Sequence, residues 1–509
     1  MDIIILKSFL PEIFLSMSIL FQLVYNIKII KNLEYNFPIV DKEVFYQTLF
    51  ILVCSIIIYS NLQIEGFFSN FFLLNDESTK IVKIFMLLAC VCVLHVILQG
   101  FSLQSLNFYE FFIIFLLAIL SLHLLISSND LLSGYLALEM QTLCMFILAS
   151  FNRNSSFSAE AGLKYFIASS FISGIFLFGA SLIYGCLGTL NFNALHLLLS
   201  VPLDTYSYEL YVMVFIGALC VISTLLFKIS CAPFHFWSPD VYEGAPISST
   251  VIFAVIPKIA LIYFFINWML ALNTLADAFQ GILLACGALS TLLGTFYALS
   301  QRRLKKLIIY SSIAQVGFIV SGIALNSFEG YTAVLFFLAI YTVTSILIWS
   351  HFVLFYDFQS RMNVFGNRNS TSLYLSSLTN FFKVNKLWAF SFIVIFFSIG
   401  GIPPLTGFLS KILIVLEMIN DNKIFYSVIL IIISSISVFY YIRLIKIMFF
   451  EPKHSENKYE RFQVIFHDSF LDNVYVIMSI LLLILLVTFF YPTMPLLICQ
   501  YIVLNIFSF

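Results

Sequence analysis

Four lysines of this 509-residue sequence, Lys164, Lys228, Lys258 and Lys411, lie inside long apolar runs. An ammonium in mid-hydrocarbon costs about 2.5–3.5 kcal/mol on insertion scales, so each needs a partner, water or a function. One carboxylate well inside an apolar run, Glu139 in LALEMQTLCMF, could answer them. A carboxyl alone in such surroundings stays protonated, whereas a neighbouring ammonium favours its ionised form, and parting such a pair frees a proton. Glu160 and Lys164 have the i,i+4 spacing, acid first, of a helical pair. His235 follows Lys228 in CAPFHFWSPDVYEGAP, and an imidazole that titrates near neutrality suits a proton relay. The chemistry these residues share is proton transfer between buried acids and bases. Plainer roles compete with it: lysines snorkelling to an interface, a structural ion pair, a histidine capping free backbone groups.

The elements that must hold these residues are membrane-length helices, for which about 20 apolar residues suffice. Fourteen spans are expected, near 10–30, 44–62, 81–99, 109–127, 131–151, 162–188, 209–232, 247–270, 277–299, 307–325, 330–356, 387–420, 424–450 and 473–500. Lys228 falls in the seventh, just before Pro233 and Pro239, which remove backbone donors and are expected to interrupt it. Lys258 follows Pro257 in the middle of the eighth. Lys411 follows GGIPPLTG in the twelfth, whose 34 residues are too many for one straight crossing and are expected to break at the glycines and prolines. Spans seven and twelve are an odd number apart and therefore run in opposite directions, each with one break and one lysine. That is the pattern of inverted five-helix repeats with discontinuous helices 7 and 12 around a hydrated site. No residue-level repeat accompanies it. The fold class is all-α, a polytopic membrane protein forming one transmembrane domain.

Composition agrees: 61% of residues are hydrophobic and 10% charged, with mean hydropathy +1.03, against about 25% charged in a soluble domain. A water-soluble globule is excluded, and a net charge of −1 leaves no basic footprint for nucleic acid. Outside the four buried lysines, 17 of the other 21 basic residues fall in or beside odd-numbered loops; only Lys7, Lys80, Lys83 and Lys423 lie opposite. The positive-inside bias then puts both termini toward the intermembrane space or periplasm. The long loops 357–386 and 451–472 lie on the positive side, as solvated connectors or docking surfaces. No removable targeting peptide is read at MDIIILKSFL. The nine cysteines are scattered and read as buried free thiols. His95, His123 and His351 stand alone in apolar runs, so hydrogen-bonded packing roles are expected for them and no metal site. No dinucleotide or phosphate-binding glycine motif occurs.

The strings SGYLALEMQTLCMFILASF, SAEAGLKYFI, FKISCAPFHFWSPDVYEGAPISSTVIFAVIPKIALI, RRLKKLIIYSSIAQVGFI and SIGGIPPLTGFLSKILI resemble the antiporter-like membrane-arm subunits of NADH:ubiquinone oxidoreductase (complex I), on the chain 2 branch. The resemblance covers about residues 100–450 and implies two half-channels joined by a hydrated polar axis. It implies proton-transfer roles for Glu139, Lys228, Lys258 and Lys411, with His235 as connector and Glu160 and Lys164 as modulatory residues. The resemblance implies residues 106–450 as an antiporter-like core, while hydropathy and composition give residues 1–105 as three N-terminal accessory helices and 451–509 as a matrix-side loop and C-terminal helix. The N-terminal spans suggest the full-length form of the family. The expected partners are other membrane-arm subunits, including related antiporter-like chains, and lipids. No cofactor is expected on this chain; NADH, FMN, iron–sulfur clusters and ubiquinone belong elsewhere in the complex. The expected location is the mitochondrial inner membrane, which the abundance of Phe from AT-rich codons favours, or a bacterial plasma membrane. Two rival readings remain, a free-standing monovalent cation/proton antiporter and a non-conducting scaffold subunit.

Overall fold

Apolar runs of membrane length fold as helices because no water is at hand to satisfy free backbone groups. The computed structural model describes residues 8–31, 41–62, 68–69, 72–104, 109–200, 208–363, 374–379, 382, 385–451 and 469–507. Among them are α1 (Leu10–Lys31), α2 (Asp41–Asn61), α3 (Glu77–Gln104), α4 (Glu110–Ser127), α5 (Leu131–Ala149), α6 (Ser156–Leu187) and the short α7 (Phe192–Leu199). There follow α8 (Tyr208–Ile229), the short α9 (Trp237–Gly244), α10 (Ile247–Leu272), α11 (Thr274–Ser300), α12 (Leu304–Ile323) and α13 (Phe328–Asn363). The chain closes with α14 (Lys386–Gly400), α15 (Thr406–Asn420), α16 (Ile424–Phe450), α17 (Ser469–Phe490) and α18 (Thr493–Phe507). A two-stranded ribbon, β1 (Phe68–Ser69) against β2 (Leu74–Asn75), lies between α2 and α3.

Twelve of these helices are long and apolar enough to cross a membrane unbroken. The bent α17–α18 pair would make a thirteenth, and α14 is apolar but too short to cross alone, so the expected fourteenth span rests on α14 and α15 acting together across their break. The loops described up to Leu375 sort to two ends in alternation. At one end the Asn129 N–H donates to Phe72 O (3.0 Å) and the Phe192 N–H to Asn129 O (2.9 Å). At the other the Leu375 N–H donates to Arg302 O (3.0 Å), and Arg303 and Lys306 pair with Glu243.

Helix α10 is the axis of the bundle, buried along nearly its whole length and packed by α3, α4, α7, α8 and α13. Peripheral α6 and α16 instead expose Phe166, Phe171, Phe178, Phe425 and Phe439, a surface suited to lipid or neighbouring helices. Where helices meet most closely, glycines let the backbones touch: a Cβ on Gly317 of α12 would sit 2.6 Å from Gly287 O of α11.

Several expectations are corrected. Pro239 does not interrupt a helix; it lies in the first turn of α9, where a missing N–H costs nothing. The last span is not one straight helix over 473–500, because the chain turns by 86° at Tyr491–Pro492 and α18 folds back onto α3 and α13. The connector expected from 357 begins later, since α13 runs to Asn363, and a 3₁₀ turn forms at Leu375–Leu378. Residues 364–373, 380–381, 383–384 and 452–468 of the two expected long loops lie outside the described residues.

Candidate functional site

Both expected breaks form, and they are capped alike. Helix α8 ends as Ser230 turns left-handed (φ 63°), with the Ser230 N–H donating to Phe227 O and the Cys231 N–H to Leu226 O. Helix α14 ends at Gly401 (φ 78°), with the Gly401 N–H donating to Ser398 O and the Ile402 N–H to Phe397 O. Each is a Schellman closure, in which one left-handed residue lets two N–H groups reach back to the final carbonyls. A cis X-Pro bond follows at Pro233 and at Pro404. Beyond the second break α15 crosses so close to α14 that a Cβ on Gly407 would lie 1.7 Å from Ser398 O.

Each break holds its lysine at a helix C-terminus, where unpaired carbonyls and the helix dipole favour a cation. Lys411, 7% exposed, donates from Nζ to Ile399 O (2.7 Å) and Gly400 O (3.0 Å), and lies 5.4 Å from the centre of the Phe318 ring. Its stem runs over Gly401, which a side chain there would block. Lys228 occupies the last turn of α8, with Nζ buried and without a hydrogen-bond partner. It shares a small cavity of about 10 Å³ with Glu139, Tyr135, Ser173 and Thr224, near the lower limit for one water. Glu139 is the carboxylate whose charge reaches Lys228, yet the Lys228 Nζ bonds to nothing. The two residues line one small cavity with no hydrogen bond between them.

Lys258 is 2% exposed, and its Nζ donates to Tyr341 Oη at 2.6 Å, while the Tyr341 hydroxyl donates to Ala254 O at 3.2 Å. Pro257 deprives Phe253 O of its helical donor, and the Tyr242 hydroxyl of DVYEGAP supplies one at 3.2 Å. Helix α10 thus stays continuous through its proline. Tyr341 lines a cavity of about 40 Å³ that ends at Lys411 and is walled by Ser311, Ser312, Gln315, Thr344, Ser345 and Ser410. That space holds about three waters. Lys258, Tyr341 and Lys411 are therefore linked along one chamber whose walls mix these hydroxyls with Ile308, Phe337, Ile340 and Ile348, and Gln315 donates to Ile399 O (3.3 Å) beside it.

The remaining expected residues are placed as follows. Lys164 pairs with Glu160 at 2.7 Å, as the spacing indicated, and also with Asp240 of α9 at 3.4 Å; all three are about half exposed. The His235 ring is buried against Phe236 and Tyr297, its Nδ1 without a hydrogen-bond partner. His351 bonds Leu347 O (2.8 Å) and Ser391 Oγ (2.6 Å), and Tyr59 Oη lies 3.0 Å from His123 Nδ1, as packing roles require. Among the described residues no group of three or more His, Cys, Asp or Glu could hold a metal ion.

Two features escaped the sequence reading. Tyr341 and the chamber hydroxyls could have been found as polar stripes at i,i+3 and i,i+4 in apolar helices: Tyr341, Thr344, Ser345 and Ser311, Ser312, Gln315. Glu139, expected deep inside its span, is only partly buried, whereas Glu12, Asp76 and Asp130 are buried carboxylates, and Lys83 is not a loop residue. Lys83 is fully buried in the second turn of α3 and donates to Glu12 (2.5 Å) and Asn75 Oδ1 (2.7 Å). Both residues sit at the edges of their apolar runs, where hydropathy cannot tell burial from an interface.

The family described as NADH:quinone oxidoreductase/Mrp antiporter, TM, matches residues 128–440, which include the break after α8 and all of the chamber. The chain is 33% identical over 453 residues to NADH-ubiquinone oxidoreductase chain 2 of Marchantia polymorpha, covering 87% of this chain and 88% of the relative. It is 32% identical to NADH-quinone oxidoreductase subunit N of Pelagibacter ubique, covering 88% and 90%. In fold it is similar to a chain of respiratory complex I from Thermus thermophilus (TM-score 0.72, 24% identity, 96% of this chain and 98% of that one). It is also similar to a chain of the Mrp complex from Dietzia sp. (TM-score 0.74, 18% identity, 99% and 98%). On the extent of these matches, the chain belongs to the NADH:quinone oxidoreductase/Mrp antiporter family of membrane subunits, on its chain 2/subunit N branch.

Proposed function

We propose that this chain is a proton-translocating membrane subunit of an NADH:quinone oxidoreductase, carrying protons along a line of buried lysines while electron transfer takes place in other subunits. Its setting is a multi-pass position in the mitochondrial inner membrane or a bacterial plasma membrane, within a multi-subunit assembly that includes related antiporter-like chains. NADH, FMN, iron–sulfur clusters and ubiquinone are assigned to those other subunits.

The observation that carries this reading is the placement of Lys258, Tyr341 and Lys411 along one buried chamber, with Lys228 and Glu139 lining a small cavity at the other break. An ammonium that shares its proton with a hydroxyl or water can pass it on without leaving a net charge stranded in hydrocarbon. Glu139 sets the occupancy of Lys228: paired with a carboxylate the ammonium is stabilised, and parted from it the proton is released. The matched closures after α8 and α14 support an inverted repeat. Residues 1–105, 106–450 and 451–509 serve as accessory helices, core and C-terminal extension. His235, in the break after α8, is assigned as connector, and the exposed Glu160–Lys164–Asp240 cluster as modulatory.

The test is Glu139→Gln in the assembled complex, reconstituted in sealed vesicles, with proton uptake and quinone reduction measured together across pH. Protons moved per electron should fall, and the pH dependence of pumping should change. Native stoichiometry with a native pH profile would reduce the pair to a structural contact.

A further inference from the structure

The N-terminal helices hold a second buried acid–base cluster, remote in sequence from the lysine line. A cavity of about 410 Å³ opens at the end of the bundle where the loops around Phe72, Asn129 and Phe192 meet. Its rim carries Asn193, His196, Leu197, Asn273, Asn326 and Phe507, of which Leu197 and Phe507 are exposed. The volume admits a cluster of waters. Its inner wall carries Asp76, 5% exposed, with both carboxyl oxygens buried and without a hydrogen-bond partner. Asp76 does not cap α3 with its side chain, although it stands immediately before it; its backbone is held by Thr79 Oγ1, which accepts from the Asp76 N–H (2.9 Å) and donates to Asp76 O (2.8 Å). Its carboxyl is left unpaired within the cavity wall.

Glu77 and Lys83 on α3 and Tyr263 on α10 are close enough to act on it; behind Lys83 stand Glu12 on α1, Tyr59 on α2 and His123 on α4, and His196 of α7 lines the same cavity. The Lys83–Glu12 pair is closed at 2.5 Å and neutral as a unit. An ionised Asp76 thus leaves one uncompensated negative charge in a buried site, and the stable way to remove it is to bind a single cation. The Lys83 ammonium disfavours a metal cation there, whereas a proton needs no coordination shell.

We propose that Asp76 is a second proton-binding site of this chain, loaded by water in the cavity and held in register by the fixed Lys83–Glu12 pair. In loading, the carboxylate takes one proton from a hydronium ion in the cavity, becoming a neutral carboxylic acid and leaving water; release is the reverse. Burial pushes the Asp76 carboxyl up to about 7, against the pull of Lys83, so both states are populated near neutrality.

The test is infrared titration of the assembled complex, following the protonated-carboxyl band through neutral pH. Wild type minus Asp76→Asn should show one such band, half lost near pH 7. Glu12→Gln, which frees Lys83 to act on Asp76 alone, should lower the midpoint by about one unit or more. Cysteine at Asn273 should be labelled by a membrane-impermeant thiol reagent from one face of sealed vesicles, a readout independent of whether Asp76→Asn assembles. The proposal is overturned by any of three results: no Asp76-dependent band, a midpoint that follows sodium concentration at constant ionic strength, or an Asn273→Cys variant unlabelled from both faces.

Discussion

Replacing Tyr341 by Phe removes one oxygen atom from between Lys258 and the chamber and leaves the ring in place. That oxygen accepts the Lys258 proton at 2.6 Å and donates to Ala254 O at 3.2 Å. Lys258 is 2% exposed, so water from outside does not replace the lost acceptor. A hydrogen bond to a charged group contributes about 1.5–3 kcal/mol, and 1.4 kcal/mol is about tenfold in an equilibrium constant. The step that passes a proton between Lys258 and the chamber is therefore expected to slow by about ten- to a hundredfold in Tyr341→Phe. The ring, 4.7 Å from Nζ to centroid, still supplies its attraction to the ammonium. Tyr341→Leu removes that too and should be worse. The assay is proton uptake into sealed vesicles containing the assembled complex, set against quinone reduction in the same preparation. Native proton movement in Tyr341→Phe, at a native rate and over the native pH range, would refute the reasoning, because the chamber would then not be reached through this hydroxyl.

Other substitutions test the scaffold. Gly407→Ala places a methyl where Ser398 O already stands, so α14 and α15 must part; a loss of about 3 kcal/mol or more in thermal unfolding is expected. Gly174→Ala meets nothing within 4 Å and should be neutral or stabilising in the same assay. Glu243 lies outside the spans, where burial opposes its charge but Lys306 and Arg303 outweigh that and hold its carboxyl below the ordinary range. Because the partners are partly exposed, Glu243→Gln should cost about 1–2 kcal/mol. A carboxyl held low contributes stability above its ordinary value of 4.5 and loses it as pH falls through the lowered one. The gap between wild type and variant should accordingly close in acid.

How much of this could be read from the chain depends on the residue. Lys228, Lys258, Lys411 and Glu139 stand out because charge in an apolar run is costly enough to demand explanation. Both breaks were legible because proline and glycine act on the backbone directly. The chamber was hidden for the opposite reason. Ser311 donates to Ile308 O (2.7 Å) and Thr344 to Ile340 O (3.0 Å), so these hydroxyls satisfy themselves on their own helices and scarcely disturb hydropathy. Tyr341 counts as apolar until its partner is known. Lys83, Glu12 and Asp76 lie at run edges, and only the packing of α1, the β1–β2 ribbon and α3 buries them. Pro239 and Pro492 show that a proline's effect depends on its place in the turn: the first is absorbed in α9, the second bends the chain through 86°.

The lysine line itself is tested most directly at Lys228, which lines a small cavity with Glu139 and whose buried Nζ has no hydrogen-bond partner. The measurement is protons translocated per electron in Lys228→Met, in complex shown to be fully assembled. Coupled proton translocation should be lost while the subunit remains in place. A native ratio of protons to electrons in that variant would contradict a proton path through this chain's buried lysines.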